Sequence, residues 1–318
     1  MSDRSRNRNY RQNRRKNANN SVDSSTYDSA GENGSKNQNF RSKNSKDMRP
    51  IRSQGMKSHG ATAKPMRPNT KSGTKITVKV APGKWIWGYH AVFAAIANPK
   101  RSLNALYVSK KMAERMKITP RSCAAEVYIV RPSEIDALLP EGAVHQGVAL
   151  SCAPLGSQHL DEITKEARGL ILVLDQITDP HNVGAIFRLA KAFNANGIVM
   201  QSRHAPPLMG ATAKVAVGTV ETVPHVLVTN IANTLLTLQK YNWRVTGLAG
   251  EAKITLQQAL VNSEAEIIVM GAEGPGLRKR VRDCCDQLAK IPMPGGTESL
   301  NVSTAAAIAL YETVRSAG

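Results

Sequence analysis

Apolar positions are almost absent from the first 70 residues, where Val22 and Ile51 are the only Val, Ile or Leu. From Trp85 onward they recur with two periods, one helical and one strand-like. Gly88–Asn98 reads as a helix stopped by Asn98-Pro99. Leu103–Val108, Glu126–Val130 and Gly147–Ala153 read as strands, and Lys110–Lys117 and Pro132–Leu139 as helices, a small α/β unit. Pro154–Arg168 is polar and turn-rich, the pattern of a linker. Leu170–Leu174 is a continuous apolar run, as in a strand buried on both faces. A second alternating series follows. Gly197–Met200, His225–Val228, Val245–Leu248, Glu266–Met270 and Lys290–Met293 read as strands. Val183–Asn194, Ile231–Tyr241, Leu277–Leu288 and Val302–Ser316 read as helices, and Lys214 falls in a short Ala-rich helical stretch. The expected architecture is a mostly parallel sheet with helices on both faces.

Charge separates the ends. Residues 1–80 carry 19 Lys and Arg against 5 Asp and Glu, and residues 81–318 carry 24 against 19. A segment so poor in apolar residues cannot offset roughly 1–2 kcal/mol of backbone entropy per residue, so residues 1–80 read as a disordered basic arm suited to a polyanion. The longest apolar runs fall far short of the roughly 20 residues that span a bilayer, and no apolar leader follows Met1. Neither a membrane span nor a secretory signal is expected. The four cysteines form no CxxC, and the histidines no HxxxH, so neither a disulfide framework nor a metal site is expected. A reducing, cytoplasmic compartment fits.

Three segments concentrate unusual residues, each after a predicted buried strand, where open α/β sheets place ligands. In Asp175–Arg188 (DQITDPHNVGAIFR), Asn182 is suited to cap the next helix, and Gly184 stands one turn before Arg188, leaving space beneath a guanidinium that can grip an anion. In Val269–Leu277 (VMGAEGPGL), Gly271, Gly274 and Gly276 allow close backbone approach, and Glu273 sits at the strand's carboxyl end. The glycine order is G-x-x-G-x-G, which fails the dinucleotide fingerprint and disfavours a nicotinamide oxidoreductase. In Ile291–Glu312 (IPMPGGTESLNVSTAAAIALYE), Ser299, Asn301 and Ser303 are cap-type residues before an Ala-rich helix. Taken singly, each reads equally as an ordinary turn or cap. Arg278-Lys279-Arg280 with Arg282 is a basic cluster open to two readings, an RNA-tracking surface or a solvated helix face.

Together, N-x-G-x-x-x-R, V-M-G-x-E-G-x-G and I-P-M-x-G-x-x-x-S-L-N-V-S, in that order, resemble the SpoU/TrmH family of RNA ribose 2′-O-methyltransferases in the SPOUT superfamily. The likeness covers Gly169–Gly318. Gly88–Val92 (GYHAV) and His145–Leu150 (HQGVAL) resemble the substrate-binding domain of the family's large-subunit rRNA members. The resemblance implies a trefoil-knotted α/β domain over 169–318, preceded by a small α/β RNA-binding domain over 81–153 and a linker over 154–168. It implies S-adenosyl-L-methionine as cofactor, touching Gly271, Ile291 and Leu300, with Met293, Ser299 and Asn301 close by. It assigns catalysis to Arg188 with Asn182 and Glu273, and implies a homodimer acting on 23S-type rRNA at a guanosine ribose. A guanidinium is a poor free base. Arg188 is therefore expected to bind a flanking phosphate and steady the developing oxyanion, with Glu273 orienting it or taking the proton. A tRNA methyltransferase and a non-catalytic rRNA-binding assembly factor remain alternatives.

Overall fold

The computed structural model describes residues 84–119, 123–261, 264–296 and 299–317, and two sheets form along the chain. The basic arm expected over residues 1–80 lies outside the described residues. The first sheet contains β1 (Trp85–Trp87), β2 (Leu103–Val108), β3 (Glu126–Ile129) and β4 (Val148–Cys152), interleaved with α1 (Tyr89–Ala97), α2 (Lys110–Met116) and α3 (Pro132–Asp136). Its order is β1-β4-β2-β3, with only β2 and β3 parallel. Period-two alternation gives it two buried faces. Ile86, Leu106, Val108, Val148 and Leu150 pack with α1 and α2, while Trp85, Trp87, Tyr107 and Ala149 pack with Ile135 and Leu139.

α4 (Leu160–Thr164) falls within the segment expected as a linker. Its Ile163 is buried in the second core, so these residues pack against the body. The second sheet is built from β5 (Gly169–Asp175), α5 (Pro180–Ala192), β6 (Gly197–Gln201), α6 (Gly210–Ala216), a 3-10 turn (Thr219–Glu221), β7 (His225–Val228) and α7 (Ile231–Lys240). It continues through β8 (Arg244–Leu248), β9 (Ile254–Thr255), α8 (Leu256–Ala259), β10 (Ala265–Gly271), α9 (Lys279–Asp283), β11 (Gln287–Lys290) and α10 (Val302–Ala317). All seven strands are parallel, in the order β7-β6-β5-β10-β8-β11-β9. Leu170, Leu172, Leu174, Ile198 and Met200 face a core shared with α5, α8 and α10. Ile171, Val173, Val199, Ile267 and Val269 face one shared with α7 and Val281 of α9. The apolar run LILVL is thus buried on both sides. Strand order reverses across β5, β10 and β8, so a ligand crevice belongs at their carboxyl ends.

Two expected elements move. The helix expected over Leu277–Leu288 is only the five residues of α9, and the strand expected over Lys290–Met293 is instead β11, ending at Lys290. Tertiary bonds override the local pattern there. Asp286 N–H donates to the Val245 carbonyl (2.9 Å), its carboxylate accepts from Val245 N–H (2.8 Å), and Gln287 donates to Thr246 Oγ1 (2.9 Å). These bonds draw the chain into the sheet beside β8.

A buried ion pair ties the two sheets together. Arg101 donates to both carboxylate oxygens of Glu221 (Nη2 to Oε1 2.5 Å, Nε to Oε2 3.3 Å) and to the Ala153 carbonyl (2.9 Å). Asn98 Nδ2 donates to Glu221 Oε2 at 2.8 Å. His225 is buried nearby, edge-on to Phe187 with ring centroids 6.3 Å apart. Burial, reinforced by Arg101, lowers its pKa to about 4. The unfolded chain takes up that proton near pH 6.5, so this contribution is full above about pH 6.5 and falls by roughly 1.4 kcal/mol per unit toward pH 4. Urea denaturation at neutral and acid pH should show a larger acid loss in the native chain than in His225→Gln; equal losses would exclude this origin.

Candidate active site

The three segments singled out in the sequence meet at the carboxyl ends of β5 and β10. Asp179, not Asn182, caps α5, accepting from His181 N–H (3.2 Å) and Asn182 N–H (3.1 Å), with Pro180 at the first helical position. That correction has a consequence. With the cap supplied by Asp179, the Asn182 side chain is left to donate to Glu273 Oε1 at 3.1 Å. Asn301 Nδ2 donates to the same oxygen (2.9 Å) and to Asn182 Oδ1 (3.0 Å), and Val302 N–H also reaches Glu273 (3.3 Å). Asn301 Oδ1 accepts from Ser303 N–H (2.9 Å) and so caps α10. One carboxylate oxygen therefore clasps all three segments.

Beside this cluster lies a cavity of about 490 Å³, within the roughly 300–1,000 Å³ usual for small-molecule sites. Gly271, Ile291, Met293, Ser299 and Leu300 line it, as does Glu273; Asn301 adjoins it through Leu300 and Val302. Apolar Leu248, Met270 and Ala305 complete much of the wall. Gly274 (φ 83°) and Gly276 (φ 66°) adopt left-handed backbone, and a Cβ on either would meet nothing within 4 Å. These positions leave backbone exposed in the 271–277 turn. Gly271 differs. A Cβ there would lie 2.1 Å from the Gly276 carbonyl carbon and 2.4 Å from Leu277 N, because the turn closes on itself through Gly276 N–H to the Ala272 carbonyl (2.9 Å). Gly271→Ala must force that turn open. It is expected to weaken binding of S-adenosylmethionine at least tenfold and to cost about 1–3 kcal/mol of stability, read by calorimetry and thermal melting. Unchanged affinity would separate the turn from the ligand.

Other placements depart from the sequence reading. Arg188 is exposed on α5 and has no hydrogen bond or ion pair among the described residues; in particular, Glu273 bonds Asn182, Asn301 and Val302 rather than Arg188. No open space lies over Gly184: a Cβ there would be 2.7 Å from the Thr212 carbonyl oxygen, so α6 packs directly on α5. Lys214 donates to Gln146 Oε1 (2.8 Å), and partial burial lowers its pKa. The basic cluster is largely engaged within the protein. Arg278 grips buried Asp175 (2.5 Å), Arg280 donates to Asn233 (2.8 Å), and Arg282 pairs with Glu251. Sequence reasoning did not place Leu248–Glu251, at the end of β8, on the cavity, and read Arg282 only as part of the basic cluster. The Ala249-Gly250 turn after a strand was the available signal. Burial raises the thiol of Cys285 to about 12 and that of Cys152 to about 11. Among the described residues no cluster of His, Cys, Asp and Glu is placed to hold a metal, and no helix is long and apolar enough to cross a membrane.

Residues 169–311 match the SpoU rRNA Methylase family, and residues 85–158 match the RNA 2′-O ribose methyltransferase substrate-binding family. The 23S rRNA (guanosine-2′-O-)-methyltransferase of Photorhabdus laumondii is 39% identical over 72% of this chain and 97% of its own length. The corresponding protein of Ralstonia nicotianae is 38% identical over 74% and 97%. Among solved structures, the SpoU methyltransferase AviRb of Streptomyces viridochromogenes in complex with AdoMet superposes with a TM-score of 0.64 at 21% identity, covering 73% of this chain and 89% of that one. An AdoMet-bound rRNA methyltransferase of Sinorhizobium meliloti gives 0.63 at 22% identity, over 73% and 86%. At these identities the structures speak for the fold, and the sequence relatives, matched nearly end to end, for the family. The chain belongs to the SpoU rRNA methylase family.

Proposed function

We propose that this protein transfers a methyl group from S-adenosyl-L-methionine to the ribose 2′-hydroxyl of a guanosine in large-subunit rRNA. The observation that carries this reading is the convergence of Asn182, Glu273 and Asn301 at a cavity lined by Gly271, Ile291, Met293, Ser299 and Leu300. Relatives that are 23S rRNA guanosine 2′-O-methyltransferases over nearly their whole length support the acceptor. The match over 85–158 adds an RNA substrate-binding module to the catalytic one, and the alignment of the 23S rRNA relatives across both modules favours rRNA over tRNA.

The cavity's chemistry fits the donor. Left-handed glycines expose backbone, and Leu248, Met270, Ile291 and Leu300 give the cavity an apolar wall. When bound, S-adenosylmethionine supplies an electrophilic methyl group on a cationic sulfur. An apolar wall disfavours that cation less once its charge disperses in the transition state. Glu273 holds the first turn of α5 against the start of α10, so that Asn182 and the cavity keep one geometry. Arg188, exposed and unengaged among the described residues, is available to an incoming phosphate and to the 2′-oxygen as it loses its proton. The guanidinium acts as a charge, not as a base.

A trefoil knot around the cavity belongs to the same reading, supported by the likeness of the fold to the SpoU methyltransferases. So does a homodimer: Ile308, Tyr311 and Val314 form an exposed apolar stripe along α10, 37%, 59% and 50% accessible. A separate small RNA-binding module and a bacterial cytoplasmic location complete it. The test is incubation of the full chain with radiolabelled S-adenosylmethionine and, separately, large-subunit rRNA and tRNA transcripts, with mapping of 2′-O-methyl sites. Label confined to a guanosine ribose of the rRNA is expected. Label in tRNA alone, or none in either RNA while the donor binds, would overturn the proposal.

A further inference from the structure

α1 buries Ala91, Val92 and Ala95 on one side, half-buries Tyr89 against the same core and turns Phe93 outward. Phe93 stands one helical turn from Tyr89. The rings are near-parallel (20°) with centroids 5.9 Å apart, and Phe93 is 53% exposed. The guanidinium of Arg115, on α2, lies over the Tyr89 ring at 4.5 Å, and His90 meets the same ring edge-on at 4.9 Å. An exposed phenylalanine gains nothing from water, and a cation–aromatic–aromatic ladder at a surface is a stacking arrangement open at its outer end.

The surroundings specify what stacks there. Lys110, Lys111, Arg115 and Lys117 are all exposed along α2 and its cap, with Glu114 the single acid among them. A row of cations on α2, with Arg115 set on the Tyr89 ring beside exposed Phe93, matches the phosphates and π-face of unpaired RNA.

The ladder is also joined to the catalytic helix. Tyr89 N–H donates to Gln146 Oε1 (3.1 Å), the same oxygen that receives Lys214 Nζ (2.8 Å). A Cβ on Gly88 (φ 89°) would lie 2.4 Å from Lys214 Nζ, so the lysine fills the place of a side chain there. Lys214 belongs to α6, which rests directly on Gly184 of α5, the helix carrying Arg188. On the other side, Gly218 lets α1 approach: its Cβ would stand 2.7 Å from Ala94 Cβ. α5, α6 and α1 are therefore locked in series.

We propose that Phe93, Tyr89 and Arg115 form the stacking platform for an unpaired base of the substrate RNA, held by α6 at a set distance from Arg188. This rests on the methyltransferase reading above and adds the residues that seat the RNA.

The experiment uses the full chain, a single-stranded oligoribonucleotide containing 2-aminopurine, and Phe93→Ala, Phe93→Leu and Phe93→Trp. Stacking predicts fluorescence quenching with the unaltered chain and with Phe93→Trp. Phe93→Ala and Phe93→Leu should lose the quench and bind about 5- to 150-fold more weakly. Affinity for S-adenosylmethionine, measured on each variant, reports that the fold is kept. Equal binding and quenching by the alanine variant would overturn the platform. So would full function of the leucine variant, or a change in sedimentation without a change in RNA affinity, which would assign the face to a protein contact. Methyl transfer by the unaltered chain on whole rRNA is scored in parallel, so failure of the enzyme reading and failure of the platform are separate results.

Discussion

Replacing Arg188 with alanine is expected to lower the rate of methyl transfer by about 10²–10³-fold, the usual cost of deleting one positioned donor to a developing oxyanion. The loss should fall on the chemical step. Arg188 lies outside the cavity that Gly271, Ile291 and Leu300 line, so affinity for S-adenosylmethionine should be unchanged. Single-turnover kinetics with saturating donor separate the two quantities. Arg188→Lys keeps the charge but loses the planar fork, and should recover only part of the rate. A near-normal rate in Arg188→Ala would remove this residue from the mechanism. Loss of donor binding would instead show that it supports the cavity wall. The geometry also limits Glu273. One of its oxygens already receives Asn182, Asn301 and Val302 N–H, so its deletion should loosen the site through loop position rather than through Arg188.

The largest stability effect is expected at Glu221. Its side chain is 3% exposed and that of its partner, Arg101, 0%. Glu221→Ala would leave a guanidinium buried with the Ala153 carbonyl as its remaining oxygen partner, and the Asn98 amide with only its long bond to the residue 221 carbonyl (3.4 Å). Breaking such a pair from one side costs about 3–5 kcal/mol, roughly 6–20 °C in melting temperature for a body of this size. Replacing both partners, Arg101→Met with Glu221→Leu, should restore most of that loss, since an apolar pair carries no desolvation penalty. Thermal melts of Arg101→Met, Glu221→Leu and the double variant form a closed cycle. A single variant that loses less than about 1 kcal/mol would place the pair with surface bridges. Because Arg101 precedes β2 and Glu221 precedes β7, the cycle also measures how firmly the two sheets are held together.

Local sequence determined much of this protein. The LILVL run has the pattern of a strand buried on both faces, and it is β5. Val183, Ile186, Phe187, Ala190 and Phe193 fall on one helical face; the first four are fully buried, and Phe193, at the cap, packs partly buried against the same core. The glycines after β10 and the Asn and Ser residues before α10 marked where a ligand and a cap belong, because left-handed backbone and exposed N–H groups need those residue types. Tertiary structure decided the rest. Whether Leu277–Leu288 stays helical depends on Asp286 and Gln287 finding β8, more than 40 residues earlier. Whether Gly184 frees space or admits a helix depends on α6. Asn182 looks like a cap in one dimension and becomes a loop clasp only because Asp179 takes the cap and Glu273, 91 residues away, comes within 3.1 Å. Composition and period report each segment's own preferences. Partners distant in the chain are chosen by the order in which strands insert into the sheet, and no local pattern encodes that order.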